Sequence, residues 1–536
     1  MAIRMVPDDN QPQQQRKLPG GGGGGGRGGG GNIITMLLPL LLGMFRKNPK
    51  LGCGVLILGA VVIYFMRGSL LNIGGDGGGG SITDLFNTGA NFDPQKYDAT
   101  EIFEPPLTDN AKNPLPESIS LLKYAPERKN QGSQGSCVGW GSAYAARTIL
   151  EAQRTGKDPD QIAFSPAYLY NQIGLENCQG AYINNAMDVM KNEGLISLRE
   201  FPYTDQDCER KPTSSQKQEA SQYKMTGFNR LTEGDAKGVG QEKIDLVAIK
   251  QNLAQGAPVV IGMMVGGTFM QPMMGKDIWN PTDNDLNMNG FGGHCMCVIG
   301  YDDYKEGGAF QIMNSWGNDW GNQGVAWIPY NVFEKFVVEA YGVYPMGNAS
   351  KPLSNILSVE FGLIDNATKK NIPLTTKSPG VFSTRSAIKK GTKFKIQVTN
   401  SLECYTYIFA TDENNNCDIL FPYTEKHSPY CGITGTRLFP KDYSMELDQL
   451  GSKDYMAIVV TKQPLDYKTL NDNVNKQSGT YEQKLRSALS GQLINNVKFI
   501  PGETVKFQTD AGTNGAVLMV IAVSYTHLTL PTSDLV

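Results

Sequence analysis

The sequence predicts an α+β unit in the middle of the chain, a separate all-β domain behind it and one N-terminal transmembrane helix in front. Three observations carry this reading. Between residues 115 and 348, helical periods at 138–154 and 182–193 are interleaved with short apolar runs at 259–265, 295–301 and 309–313. From 355 to 523 the pattern changes to short alternating segments, such as 394–398 and 405–410, separated by Asn, Asp, Gly and Pro. Residues 51–66, LGCGVLILGAVVIYFM, hold no charge.

Length and composition bound the rest. At roughly 100–200 residues per domain, 536 residues allow two to four domains. A net charge of −3 gives no basic footprint for nucleic acid, so no nucleic-acid partner is expected. Many of the 62 glycines fall in two tracts, 20–31 and 74–80, that lack a three-residue period, which excludes collagen. Nine cysteines are too few for a disulfide scaffold in a chain of this length. The three histidines are His294, His427 and His527, so any imidazole chemistry uses one of these.

Residues 1–50 read as a disordered glycine-rich tail with a short apolar segment at 33–45. That segment is interrupted by Pro39 and is too short for a bilayer core of about 30 Å. Residues 51–66 reach about 24 Å as a helix, and Leu70, Leu71 and Ile73 extend the apolar length, giving a transmembrane helix over 51–73. Arg46, Lys47 and Lys50 flank it on one side and Arg67 alone on the other. The positive-inside rule then makes a single-pass membrane protein, anchored through this helix, with everything after residue 67 on the extracytoplasmic side. Residues 74–114 read as a linker. Residues 524–536, SYTHLTLPTSDLV, break the strand-like pattern before them and read as a non-native tail that would include His527.

Three stretches carry chemistry. Cys137 ends Asn130-Gln131-Gly132-Ser133-Gln134-Gly135-Ser136-Cys137, after a glycine-rich turn and ahead of a helical pattern. A helix N-terminus favours a thiolate. Gln131 and the Cys137 backbone N–H supply two donors for an oxyanion. His294 opens an apolar strand after Gly292 and Gly293, where an imidazole can pair with a thiolate. Asn314, in Asn314-Ser315-Trp316-Gly317, ends another strand and can fix the imidazole ring, with Trp316 covering that bond. Each stretch alone also fits a blander reading: a buried cysteine after a turn, a structural histidine, a loop with tryptophans. Cys295 and Cys297 beside one histidine are too few ligands for a metal site, so neither a metal nor a cofactor is expected.

Taken together and in this order, Q-G-x-x-G-S-C, G-H-x-x-x-x-x-G-Y and N-S-W-G-x-x-W-G resemble the papain-like cysteine peptidases, of bacterial type. The 157 positions from Cys137 to His294 are slightly more than is usual there, which an insertion within 266–290 explains. Leu115-Pro116-Glu117-Ser118 resembles the start of the mature enzyme, and Phe201-Pro202-Tyr203 with Cys208 resembles the Y-P-Y…C segment. The resemblance implies a two-subdomain fold over 115–348, one half helical and one β-barrel-like, with Cys137, His294, Asn314 and Gln131 as catalytic residues and Trp316 supporting. It implies a hydrolase acting on peptide or protein substrate. Departures are Val138 after the nucleophile and Gln134 in place of a disulfide cysteine. The latter leaves Cys178 either unpaired or joined to Cys208. Residues 81–114 are too short and too poor in helical pattern for the family's usual inhibitory propeptide. A catalytically weak binding protein on the same fold and a Cys-His amidase or transferase are the alternatives. The region 355–523 resembles a bacterial domain of unknown function often attached to peptidases, and reads as a binding or partner-docking module or a spacer. His427 reads as a surface residue in its loop.

Overall fold

The computed structural model describes residues 3–8, 88–108, 111–233, 243–344, 356–411, 415–441, 443–447, 452–510 and 514–526. The segment 51–73 expected to span a membrane, both glycine tracts, the apolar run at 33–45 and residues 527–536 lie outside the described residues. Among the described residues no helix is long and apolar enough to cross a membrane.

The middle unit has a helical half and a β half, but the β half, expected to be barrel-like, is among the described residues an open sheet whose end strands do not pair. In the helical half, helical backbone runs without a break through Cys137–Gly139, Trp140–Arg147 and Thr148–Thr155, the central part in wider π turns. Thr148 Oγ1 donates to the carbonyl of Ala143, five residues back. Gly156, at φ +67°, ends the helix in the left-handed conformation. Ile183–Asn192 forms the second expected helix, burying Ile183, Ala186, Met187 and Met190 at helical spacing.

The β half is an antiparallel sheet in the linear order Val325–Pro329, Ala309–Met313, Gly292–Asp302, Val259–Val265, Val337–Tyr344, Gly227–Arg230, with Ser118–Ser120 on the far end of Gly292–Asp302. Its central strands are buried at almost every position, which is why they read as unbroken apolar runs. Both halves share one core.

The C-terminal domain is a β-sandwich. One sheet contains Ile356–Asp365, Lys393–Asn400 and Val505–Asp510, the other Cys404–Thr411, Lys453–Thr461 and Ala516–Thr526. Val359, Phe361 and Ile396 of the first meet Ile408, Ile458 and Met519 of the second. The alternate residues Tyr407, Phe409, Val459 and Leu518 face the other way and pack on Leu470, Val474 and Leu485. Those three belong to helices Tyr467–Asn475 and Tyr481–Ala488, so the domain is not all-β as expected. The last strand also runs three residues into the segment set aside as a tail, with Ser524 paired to Lys453.

Two further expectations are corrected. Ile3–Pro7, read as part of a disordered tail, adds a strand beside Tyr443–Leu447 and buries Ile3. Residues 88–108, read as linker, are packed: Pro94–Ala99 is helical behind an Asp93 cap, and Tyr97 and Phe103 are buried in the peptidase-like core. The C-terminal domain is not simply appended either. Its Tyr430 and Ile433 enter the core of the middle unit, where the Tyr430 ring lies edge-on to Tyr344 at 5.3 Å.

Candidate active site

The site forms where the start of the long helix meets the start of strand Gly292–Asp302. Cys137 is the first helical residue, and its Sγ accepts the backbone N–H of Cys295 at 3.4 Å. The residue after His294 therefore lies directly against the sulfur. His294 Nε2 lies 2.7 Å from Asn314 Oδ1. That oxygen also accepts the Ser315 N–H at 2.7 Å, which fixes the amide orientation and makes Nε2 the protonated nitrogen. His294 Nδ1 is buried without a hydrogen-bond partner. Trp316 stacks on the imidazole, centroids 4.4 Å apart and planes 24° from parallel, and so screens the His294–Asn314 bond. Trp320 meets Trp316 edge-on, and Phe269 from the insertion braces both rings.

Gln131 is fully buried before the helix. Its Nε2 donates to Gln134 O at 2.9 Å, its Oε1 accepts from Ser315 Oγ at 2.6 Å, and its backbone N–H donates to Ser315 O at 2.8 Å. The five residues singled out in the sequence, Cys137, His294, Asn314, Gln131 and Trp316, thus come together. Two positioning residues were not singled out. Ser315 joins the Gln131 loop to Asn314. Tyr203 donates to Gln131 O at 2.6 Å and shares a 2.6 Å hydrogen bond with Ser136, tying both ends of the loop before Cys137. The Phe201-Pro202-Tyr203 motif was the signal for Tyr203. Cys178 and Cys208 are disulfide-bonded, which decides between the two states left open for Cys178.

The cleft over Cys137 is occupied by the chain itself. Gly89 donates its N–H to Gly293 O at 3.1 Å, and Ala181 donates to Gly89 O at 2.8 Å. Ala90–Asn91 runs parallel to Ala181–Tyr182 as a two-stranded pair. Only glycine fits here: a Cβ on Gly89 would stand 2.1 Å from Gly135 O, and one on Gly293 would stand 2.1 Å from Ala90 O. Residues 88–91, inside the stretch read as a linker, thus pack over Cys137 rather than only linking. Cys137 and His294 have no solvent exposure beneath the segment.

Burial sets the protonation of the covered pair. It pushes the Cys137 thiol up to about 12, although the N–H groups of Cys295, Val138, Cys137 and Gly89 pull the other way. It pushes His294 down to about 4 against the opposing pull of Asn314. Burial of the covered pair therefore favours the neutral thiol and the neutral imidazole.

Residues 116–346 match the family model described as papain family cysteine protease. They are a papain-family domain. Residues 387–464 match a second model, described as a domain of unknown function (DUF4384), in agreement with the resemblance of the C-terminal region. Cathepsin K of Mus musculus is 32% identical over 225 residues, covering 40% of this chain and 60% of the relative. Cysteine proteinase 3 of Entamoeba histolytica is 26% identical over 226 residues, covering 41% and 66%. The chain spans about three fifths of the cathepsin K sequences it matches. Among solved structures, xylellain, a cysteine protease from Xylella fastidiosa, aligns at 21% identity with a TM-score of 0.40 over 49% of this chain and 97% of its own.

Proposed function

We propose that this chain is a membrane-anchored cysteine peptidase that hydrolyses peptide bonds through Cys137, His294 and Asn314. The observation that carries the reading is the 2.7 Å bond from His294 to Asn314 beneath Trp316, with the next residue's N–H on the Cys137 sulfur. With the cleft open to water, the proton of Cys137 passes to His294 and the two charges stabilise each other. The thiolate attacks the scissile carbonyl carbon. The carbonyl oxygen takes up the electron pair and is held by the Gln131 side-chain amide and the Cys137 N–H, each donor worth about 2.7–4 kcal/mol. His294 then gives its proton to the leaving amine and the C–N bond breaks, leaving a thioester. His294 next takes a proton from water, whose hydroxide displaces the sulfur and frees the acid. Asn314 holds the ring for both transfers.

The anchor is residues 51–73, with the papain-family domain on the extracytoplasmic side. Its support is the uncharged run 51–66 and the Arg46, Lys47, Lys50 flank. A lysine at the span's centre costs about 2.5–3.5 kcal/mol of insertion free energy, so Val61→Lys should move protein from the membrane to the soluble fraction. Protease added to intact spheroplasts should remove the 116–346 domain, and full protection of that domain would reverse the orientation. Catalysis is tested with unstructured peptides and the full chain carrying Gly89→Ala to open the cleft. Turnover should vanish on adding Cys137→Ala, and equal turnover with and without Cys137 would refute the reading.

A further inference from the structure

The segment that covers Cys137 continues into a strap, described over 88–108 and again at 111–113, that lies between the papain-family domain and the C-terminal domain. In the cleft the strap is held by the backbone hydrogen bonds Gly89 to Gly293 and Ala181 to Gly89 and by the short Ala90–Asn91 pairing with Ala181–Tyr182. Its denser polar anchoring lies further along. Ile102 donates to Lys426 O at 2.6 Å and accepts from the Ser428 N–H at 3.1 Å. On its other side Phe103 donates to Arg230 O, and Arg230 donates to Glu101 O, both at 3.0 Å. The strap is thus a rung between Arg230 of one domain and the 424–428 loop of the other. Side chains repeat the pattern: Lys426 is ion-paired with Asp98, and Ser428 Oγ donates to Glu101 Oε2 at 2.7 Å. Leu107 donates to Thr436 O at 2.7 Å, and Asn113 exchanges two hydrogen bonds with Thr436.

Arg437 shows that this face is built to receive the strap. It is buried, and its guanidinium donates to Asn400 Oδ1 and Ile433 O within its own domain and to Glu104 O of the strap, at 2.8, 2.8 and 2.9 Å. Lifting the strap breaks this charge-assisted bond from Arg437 Nε–H to Glu104 O, so the C-terminal domain itself favours the seated state.

We infer that the C-terminal domain is an intramolecular clamp that holds the strap shut over Cys137, so that separating the 424–437 loop from the strap opens the site. The inference rests on the cysteine-peptidase reading. It gives the domain a regulatory task, in which the ligand it responds to is this chain's own 98–108 segment.

The test is the rate at which an irreversible epoxide probe labels Cys137 in the full chain. Lys426→Glu places a carboxylate opposite Asp98 on a half-exposed side chain, and Ser428→Ala removes the Glu101 contact of a buried hydroxyl that also accepts the Tyr430 N–H. Labelling should quicken roughly 5- to 10-fold at an unchanged melting temperature. Lys217→Glu, which breaks a pair with Glu193 away from the strap, should label as wild type does. The clamp is overturned if the double variant labels at the wild-type rate while Gly89→Ala labels faster, and equally if faster labelling comes only with a lowered melting temperature. Failure of every variant to label, Gly89→Ala included, would remove the cysteine-peptidase reading and the clamp with it.

Discussion

A single methyl group should open the site. At Gly89 an added Cβ meets the backbone of Gly135 at three atoms, O at 2.1 Å, C at 2.5 Å and Cα at 2.7 Å. Backbone on both sides leaves nothing that can swing aside, so in Gly89→Ala the segment must lift. Lifting breaks the Gly89–Gly293 and Ala181–Gly89 bonds, each worth about 0.5–1.5 kcal/mol net. The seated state therefore loses about 1–3 kcal/mol, and the open fraction rises roughly 5- to 150-fold while it remains the minor state. Labelling by an epoxide probe scales with that open fraction, so pseudo-first-order labelling of wild type and Gly89→Ala at equal probe concentration measures it. Equal rates would show that the segment does not control access to Cys137.

Other predictions follow from the same geometry. Asn314→Ala in the opened background removes the acceptor of His294 Nε2–H; loss of a hydrogen bond to a charged ring, about 1.5–3 kcal/mol, should cut kcat roughly 10- to 150-fold with KM little changed. The covered site should open in alkali. In the seated state the pair's one proton stays on Cys137, whose thiol burial pushes up to about 12, whereas the open thiolate–imidazolium pair gives up its proton from the imidazolium at lower pH. The stability of the seated state is then full below the titration of that imidazolium and is lost as pH rises through it towards about 12; proteolytic nicking of the strap should accelerate over that window and be flat just below it. Cys208→Ser opens a disulfide between positions 30 apart, which at about 3–4 kcal/mol for such a loop should lower the melting temperature by several degrees.

The parts of the site that were legible in the sequence are those whose chemistry forces a local pattern. Cys137 needs a turn that brings its backbone close and a helix start, and Gly132, Gly135 and Ser136 write that turn into adjacent positions. His294 and Asn314 sit at strand ends marked by glycine and by a polar break after an apolar run. The strap was not legible, because its partners are backbone groups of Gly293, Ala181, Lys426 and Thr436, far away in the chain, and a backbone hydrogen bond leaves no residue signature. The two helices of the C-terminal domain did leave signals. Thr480 and Gln483 form a capping box, and the runs 456–460 and 516–523 are apolar at every position, which demands cover on both faces of their sheet. Short neighbouring strands outweighed those signals. Ile3–Pro7 is five residues whose partner strand lies more than 430 positions away, a pairing that no local period can announce.

The most direct measurement is peptide mapping of the full chain after epoxide labelling in the Gly89→Ala background. The account predicts one adduct, on Cys137, that is lost in His294→Ala although the thiol is still present. An adduct on Cys295 or Cys297 instead, or labelling of Cys137 that is indifferent to His294, would contradict it.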